Sequence, residues 1–131
     1  MTTTYYHTQV LRLHKSLYSK EDLTEQIMQS KLFIDEYFAN HLSLDDLARK
    51  AFLSKFHFIR IFKKMYGKTP YQHLVSVRIK EAKKLLHTDM PVAEVCLSVG
   101  FDSPTSFAAL FRKMTGYTPS AFRHKKAILK S

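Results

Sequence analysis

The chain contains the same block of sequence twice, and that duplication limits its fold more than any other feature. Laying residues 42–78 over residues 90–126 sets Phe62-Lys63-Lys64-Met65-Tyr66-Gly67-Lys68-Thr69-Pro70 against Phe111-Arg112-Lys113-Met114-Thr115-Gly116-Tyr117-Thr118-Pro119, six identities in nine positions. Upstream, Leu44, Leu47, Ala48 and Ala51 recur as Val92, Val95, Cys96 and Val99, spaced i, i+3, i+4, i+7 like one face of an amphipathic helix. A second helix follows in each block. Its inward face is expected to carry Phe58, Ile61, Phe62 and Met65 in the first copy and Phe107, Leu110, Phe111 and Met114 in the second.

Each second helix has start and stop signals. Ser54 and Ser103 offer side-chain oxygens to otherwise unpaired amides, and Pro104 suits a first turn. Gly67 and Gly116 suit the left-handed residue that closes a helix. Only a short turn separates the paired helices, Phe52 and Leu53 in one copy and Gly100, Phe101 and Asp102 in the other, so each copy forms a helix-turn-helix. Phe52 departs from the pattern, since the second copy has Gly100 at this place; a left-handed backbone there would strain a residue that has a Cβ, and a turn that is not left-handed is also open to it.

The expected fold class is all-α: two helix-turn-helix subdomains joined by a long linker helix, about seven helices in all. Residues 1–22 form an N-terminal arm, with a helical turn or two and a mobile segment both compatible with Val10, Leu13 and Leu17. The first subdomain covers residues 23–69, the linker helix residues 70–88 and the second subdomain residues 89–131. A helix from about Leu23 to Asn40 is expected to bury Ile27, Leu32, Ile34, Tyr37 and Phe38. Along the linker, Leu74, Val77, Ala82, Leu85 and Leu86 sketch the apolar stripe, while Arg78, Lys80, Lys83 and Lys84 point elsewhere. A short last helix is expected from Ser120, packed through Phe122. Three glycines, four prolines and no alternating β-branched run argue against a β-sandwich or a Rossmann fold.

Net charge is +10, which points to a polyanionic partner. The excess is concentrated, since residues 49–84 carry eleven basic side chains against Glu81 alone. The seven histidines lack paired metal-ligand spacing, and no metal or cofactor is expected. No phosphate loop, nucleophile elbow or clustered acid/base set is present, so an enzyme is not expected. The single cysteine, Cys96, aligns with Ala48 and reads as a small core residue rather than a redox sensor. With no bilayer-length apolar stretch and no secretory signal at Met1–Tyr6, a cytoplasmic protein without membrane contact is expected.

Two such units, each ending in Gly-x-x-Pro, resemble the DNA-binding domain of the AraC/XylS family of bacterial transcription regulators. The resemblance covers about residues 23–126. It rests on Ala48 with Ser54-Lys55-Phe56-His57-Phe58-Ile59-Arg60-Ile61-Phe62-Lys63-Lys64, on Arg78-x-x-x-Ala82-x-x-Leu85-Leu86, and on Val99-Gly100-Phe101 through Phe107-x-x-x-Phe111-Arg112-Lys113 to Pro119. It implies promoter binding in two successive major-groove segments and activation through contact with RNA polymerase. The effector domain that most members carry is not part of this chain, which looks like the short MarA/SoxS-like architecture or a cut-out C-terminal domain of a larger regulator.

The second helix of a helix-turn-helix lies in the major groove, with its N-terminal half at base edges. Subtracting the buried face leaves Lys55, Phe56, Ile59 and Arg60 as base contacts in the first unit. Phe56 and Ile59 suit apolar groups in the groove, and Arg60 has the fork for guanine O6 and N7. The resemblance also places the positions of Phe56, Ile59 and Arg60 at bases. In the second unit Thr105, Ser106 and Ala109 face outward, with Ala109 standing where the repeat has Arg60. The first unit is therefore expected to dominate base discrimination and the second to add affinity and register. Expected phosphate contacts are Lys63, Lys64, Lys68, Lys80, Arg112, Lys113 and Arg123. His57 reads equally as a structural residue beside the core. Two tandem units let a monomer cover an asymmetric site. The rival reading is a protein-interaction module of the same fold, acting on RNA polymerase or another regulator with weak DNA binding.

Overall fold

The computed structural model describes residues 20–130, with side chains as far as Lys125; residues 1–19 and Ser131, and with them the greater part of the expected N-terminal arm, lie outside the described residues. Among the described residues the chain is all-α. Seven helices run α1 Lys20–Tyr37, α2 Leu44–Lys50, α3 Lys55–Tyr66, α4 Pro70–Leu85, α5 Val92–Ser98, α6 Pro104–Thr115 and α7 Pro119–Lys130. They divide into two compact units, one built from residues up to Phe33 with Ser43–Pro70, the other from Ile34–Leu42 with Tyr71 onward.

In the first unit α2 and α3 form the helix-turn-helix. Ser43 Oγ accepts from the Asp46 amide at 3.4 Å and Ser54 Oγ from the His57 amide at 3.2 Å, so each helix opens on a serine cap. Gly67 closes α3 in left-handed geometry at φ 78°, its amide donating to Lys63 O at 2.7 Å. The core is Ile27, Leu47, Ala48, Ala51, Phe58 and Phe62. Phe52, in the turn, has φ 58° and bears the strain expected of a left-handed residue with a Cβ.

The second unit repeats the plan with α5 and α6. Ser103 Oγ caps α6 through the Ser106 amide at 3.2 Å, and Gly116 ends it at φ 86°. Its core joins Val75, Ile79 and Ala82 of α4 and Leu86 just past it to Val95 and Cys96 of α5, Val99 just past that helix, and the rings of Phe101, Phe107, Phe111 and Phe122. Those four rings form a chain of contacts with centroids 5.2, 5.8 and 5.3 Å apart. Pro70 and Pro119, the ends of the two Gly-x-x-Pro signals, begin α4 and α7, where a missing amide costs nothing.

Several side chains sit elsewhere than the periodicity suggests. On α1 the buried row is Ile27, Ser30 and Ile34, whereas Leu32 is 55% and Tyr37 40% exposed. Five residues turn a helix by about 500°, which carries Leu32 well away from the face of Ile27. Ser30 is accommodated there because its hydroxyl donates to Ile27 O at 2.7 Å. On α4 the stripe runs Leu74, Val75, Ile79, Ala82, Leu86 instead of through Val77 and Leu85, which are half-buried. Met114, at the last turn of α6, is 46% exposed. Arg78 does not point away from the protein. Its Nε donates to Phe38 O at 2.7 Å and a terminal nitrogen to Asn40 O at 3.0 Å, pairing carbonyls left open where α1 ends. Nearby His73, buried on α4, meets Asp35 of α1 at 2.6 Å. Burial pulls the Arg78 guanidinium below its usual pKa, while Tyr71 and Asp102 act to raise it.

Candidate nucleic-acid interface

The second helix of each unit buries one side and offers the other. On α3, Phe58 and Phe62 are fully buried. At about 100° per residue, Phe56, Arg60, Lys63 and Lys64 fall on the side opposite them, and Ile59 lies to one flank. The structure agrees with this wheel, since Phe56, Arg60, Lys63 and Lys64 are exposed and Ile59 is half-buried at the margin; Lys55, the first residue of the helix, is exposed as well. Phe56 is 77% exposed, an unusual setting for a large apolar ring.

On α6 the same construction places Thr105, Ala109 and Arg112 opposite Phe107 and Phe111. All three are exposed, as are Ser106 and Lys113, while Ala108 at the flank is half-buried. Position for position, Thr105 stands for Phe56, Ala109 for Arg60 and Arg112 for Lys63. The second face thus keeps its far cation and lacks both the large apolar group and the guanidinium near its N-terminus.

Neither α3 nor α6 carries an acidic residue in its first turn, and each ends on two cations, Lys63 with Lys64 and Arg112 with Lys113. Nothing acidic in those turns offsets the positive end of the helix dipole. Asp102, exposed just before Ser103, adds a negative charge to the approach to α6 that has no counterpart before α3. The apolar and cationic groups of α3 share one outward face, a combination suited to base edges and phosphates together.

The other phosphate candidates divide by environment. Lys80 is exposed on α4. Lys83 and Lys84, which the sequence also sets off the apolar stripe, share its outward side at i, i+3, i+4 spacing and extend the cationic row beyond Lys80. Lys68 is half-buried just after α3. Arg123 is committed inside its own unit: Nε donates to Leu86 O at 3.0 Å and a terminal nitrogen to Met90 O, just past the end of α4. His57 is half-buried on the flank of α3, and Cys96 is fully buried, its thiol pKa raised by burial and by Asp102.

The helix-turn-helix domain family matches residues 47–125, well over half of the chain and both repeat units. The chain belongs to the AraC-type helix-turn-helix family. Relatives of this AraC-type domain include the transcriptional activator AarP of Providencia stuartii, 36% identical over 98 residues that cover 74% of this chain and 73% of AarP. The MmsAB operon regulatory protein of Pseudomonas aeruginosa is 39% identical over 94 residues, 71% of this chain but only 31% of that regulator. The bifunctional transcriptional activator and DNA repair enzyme AdaA of Bacillus subtilis is 37% identical, with 44% of its length spanned. Among solved structures, the DNA-binding domain of AdpA in complex with a target DNA shares 31% identity and a TM-score of 0.72, covering 76% of this chain and 90% of that domain. The AraC-type chain is a DNA-binding transcription-regulator domain, and the relatives matched are regulators and their DNA-binding domains. Among the described residues no helix is long and apolar enough to cross a membrane.

Proposed function

We propose that the chain binds duplex DNA in a sequence-specific manner, reading two successive major-groove segments with α3 as the principal reader. The observation that carries this reading is the outward face of α3, where Phe56 and Arg60 stand side by side, exposed, on the cationic side of a capped helix. Arg60 forks to guanine O6 and N7, Phe56 and Ile59 meet apolar groups of the groove, and Lys55 reaches a neighbouring base edge. From α6, Thr105, Ser106 and Ala109 touch bases only at short range. Lys63, Lys64, Lys68, Lys80, Arg112 and Lys113 hold the backbone and set register.

Two tandem units let a monomer occupy an asymmetric site, where a single helix-turn-helix needs a dimer. The working compartment in this reading is the cytoplasm. The outcome is activation through contact with RNA polymerase, a reading supported by the activator AarP, most of whose length the chain spans. Ala109 favours a second reading, in which protein contact outweighs DNA binding, because α6 lacks a long hydrogen-bonding side chain at that place. Selection of bound duplexes from a random library, repeated with Arg60→Ala, separates the two. A DNA reader yields a defined site preferred about a thousandfold over random DNA, and the variant relaxes one base pair of it. No enriched site at physiological salt would leave the protein-contact reading standing.

A further inference from the structure

We infer that the α3 face reads the methyl group on pyrimidine C5 rather than the identity of the base, so that 5-methylcytosine serves where thymine does and cytosine methylation regulates binding. This rests on the proposed placement of α3 in the major groove. The apolar half of that face is chemically narrow. Phe56 and Ile59 have no side-chain donor or acceptor, and the major groove offers such groups one apolar partner, the C5 methyl that thymine carries and cytosine lacks. The exposed ring of Phe56 adds nothing to the core, which Phe58 and Phe62 fill beneath α3 while Phe56 lies on the opposite side of the helix.

The hydrogen-bond pattern beside that methyl differs between thymine, with an acceptor at O4, and cytosine, with a donor at N4. Neither Phe56 nor Ile59 senses the difference. Both sense the methyl, which sits at the same place in thymine and in 5-methylcytosine. Arg60, one residue beyond Ile59 and close to Phe56 on the helical wheel, supplies the hydrogen-bonding part of the code at a neighbouring guanine. A pyrimidine C5 methyl followed by guanine, as in a T-G step or a methylated C-G step, is therefore the element this face fits. In α6 the matching positions are Thr105 and Ala108, which project far less than Phe56 and Ile59, so the sensitivity is strongest in the half-site of the first unit.

The test uses the site selected above. At each pyrimidine of the first half-site, duplexes carry thymine, deoxyuridine, cytosine or 5-methylcytosine with the matching purine, and Kd is measured at fixed salt for the wild type and for Phe56→Ala. Phe56 is exposed, so the variant keeps its fold. At one or two positions thymine and 5-methylcytosine are expected to bind alike and about fourfold tighter than deoxyuridine and cytosine, the factor that burying one methyl-sized group carries. In Phe56→Ala that grouping collapses. If thymine pairs with deoxyuridine and cytosine with 5-methylcytosine at every position, hydrogen bonds are being read and the inference is overturned. A scrambled duplex that binds as tightly as the selected site overturns the groove placement itself, and with it everything inferred here.

Discussion

The two copies of the turn differ at one residue that carries a measurable consequence. Gly100 has φ 100°, and a Cβ built on it would meet Phe38 O at 2.9 Å, Ala39 O at 3.0 Å and Arg78 Nε at 3.0 Å. Gly100→Ala therefore adds about 1 to 2 kcal/mol of backbone strain. It also forces apart the carbonyl cluster that the Arg78 guanidinium holds, and a charge-assisted hydrogen bond weakened there costs about 1.5 to 3 kcal/mol. The expected loss is about 2.5 to 5 kcal/mol from the second unit, which lowers a urea midpoint by at least about 0.8 M. Far-UV circular dichroism gives the midpoint, and amide hydrogen exchange in α5 and α6 shows where the loss falls. A loss below about 1 kcal/mol, with those amides protected as in the wild type, would show that the α1 carbonyls and Arg78 adapt freely and that this reasoning is wrong.

At Phe52, where φ is 58°, Gly releases strain that Ala retains, so Phe52→Gly is expected to be more stable than Phe52→Ala by about 0.5 to 1 kcal/mol, the reverse of their order in a helix; equal urea midpoints for the pair would contradict it. Lys63→Ala is expected to weaken selected and scrambled duplexes by the same factor and to lower the slope of log affinity on log salt by about 0.9, while loss of preference with an unchanged slope would make Lys63 a base reader. The Cys96 thiol, buried and raised in pKa, is expected to resist alkylation until urea exposes it. Because the folded value is the higher one, its contribution to stability is full below the ordinary thiol range and is lost as pH rises through that range toward the folded value. Alkylation of the native chain at the rate of a free thiol would refute the burial argument.

The repeat made the helix-turn-helix units legible because their determinants are local. Serine caps, closing glycines and a 3.6-residue apolar period act within one helix, and Ser54, Ser103, Gly67 and Gly116 all stand where those rules place them. What the chain hid is tertiary. Arg78 looked like one more surface cation until the carbonyls of Phe38 and Asn40, distant in sequence, arrived beside it. Arg123 was hidden in the same way by the carbonyls past the end of α4. On α4 a row through Val77 and Leu85 and one through Val75 and Ile79 can both be drawn from the sequence, and only the helix's neighbours select between them. Leu32 and Tyr37 fit a core by residue type, yet both are exposed, and the angular position of Leu32 on α1 takes it off the face of Ile27. At the interface, the outward set on α3 followed directly from subtracting the buried face, since a helix wheel fixes what a core leaves over.

The most direct measurement is an amide-resolved NMR titration of the chain with its selected duplex and, separately, with a scrambled duplex of the same length. Shifts unique to the selected duplex are expected at Lys55 to Arg60 of α3, with α6 moving by similar amounts for both DNAs. Specific shifts confined to other surfaces, such as the exposed side of α1 at Met28 and Leu32, with α3 unchanged, would contradict the placement of Phe56 and Arg60 against bases.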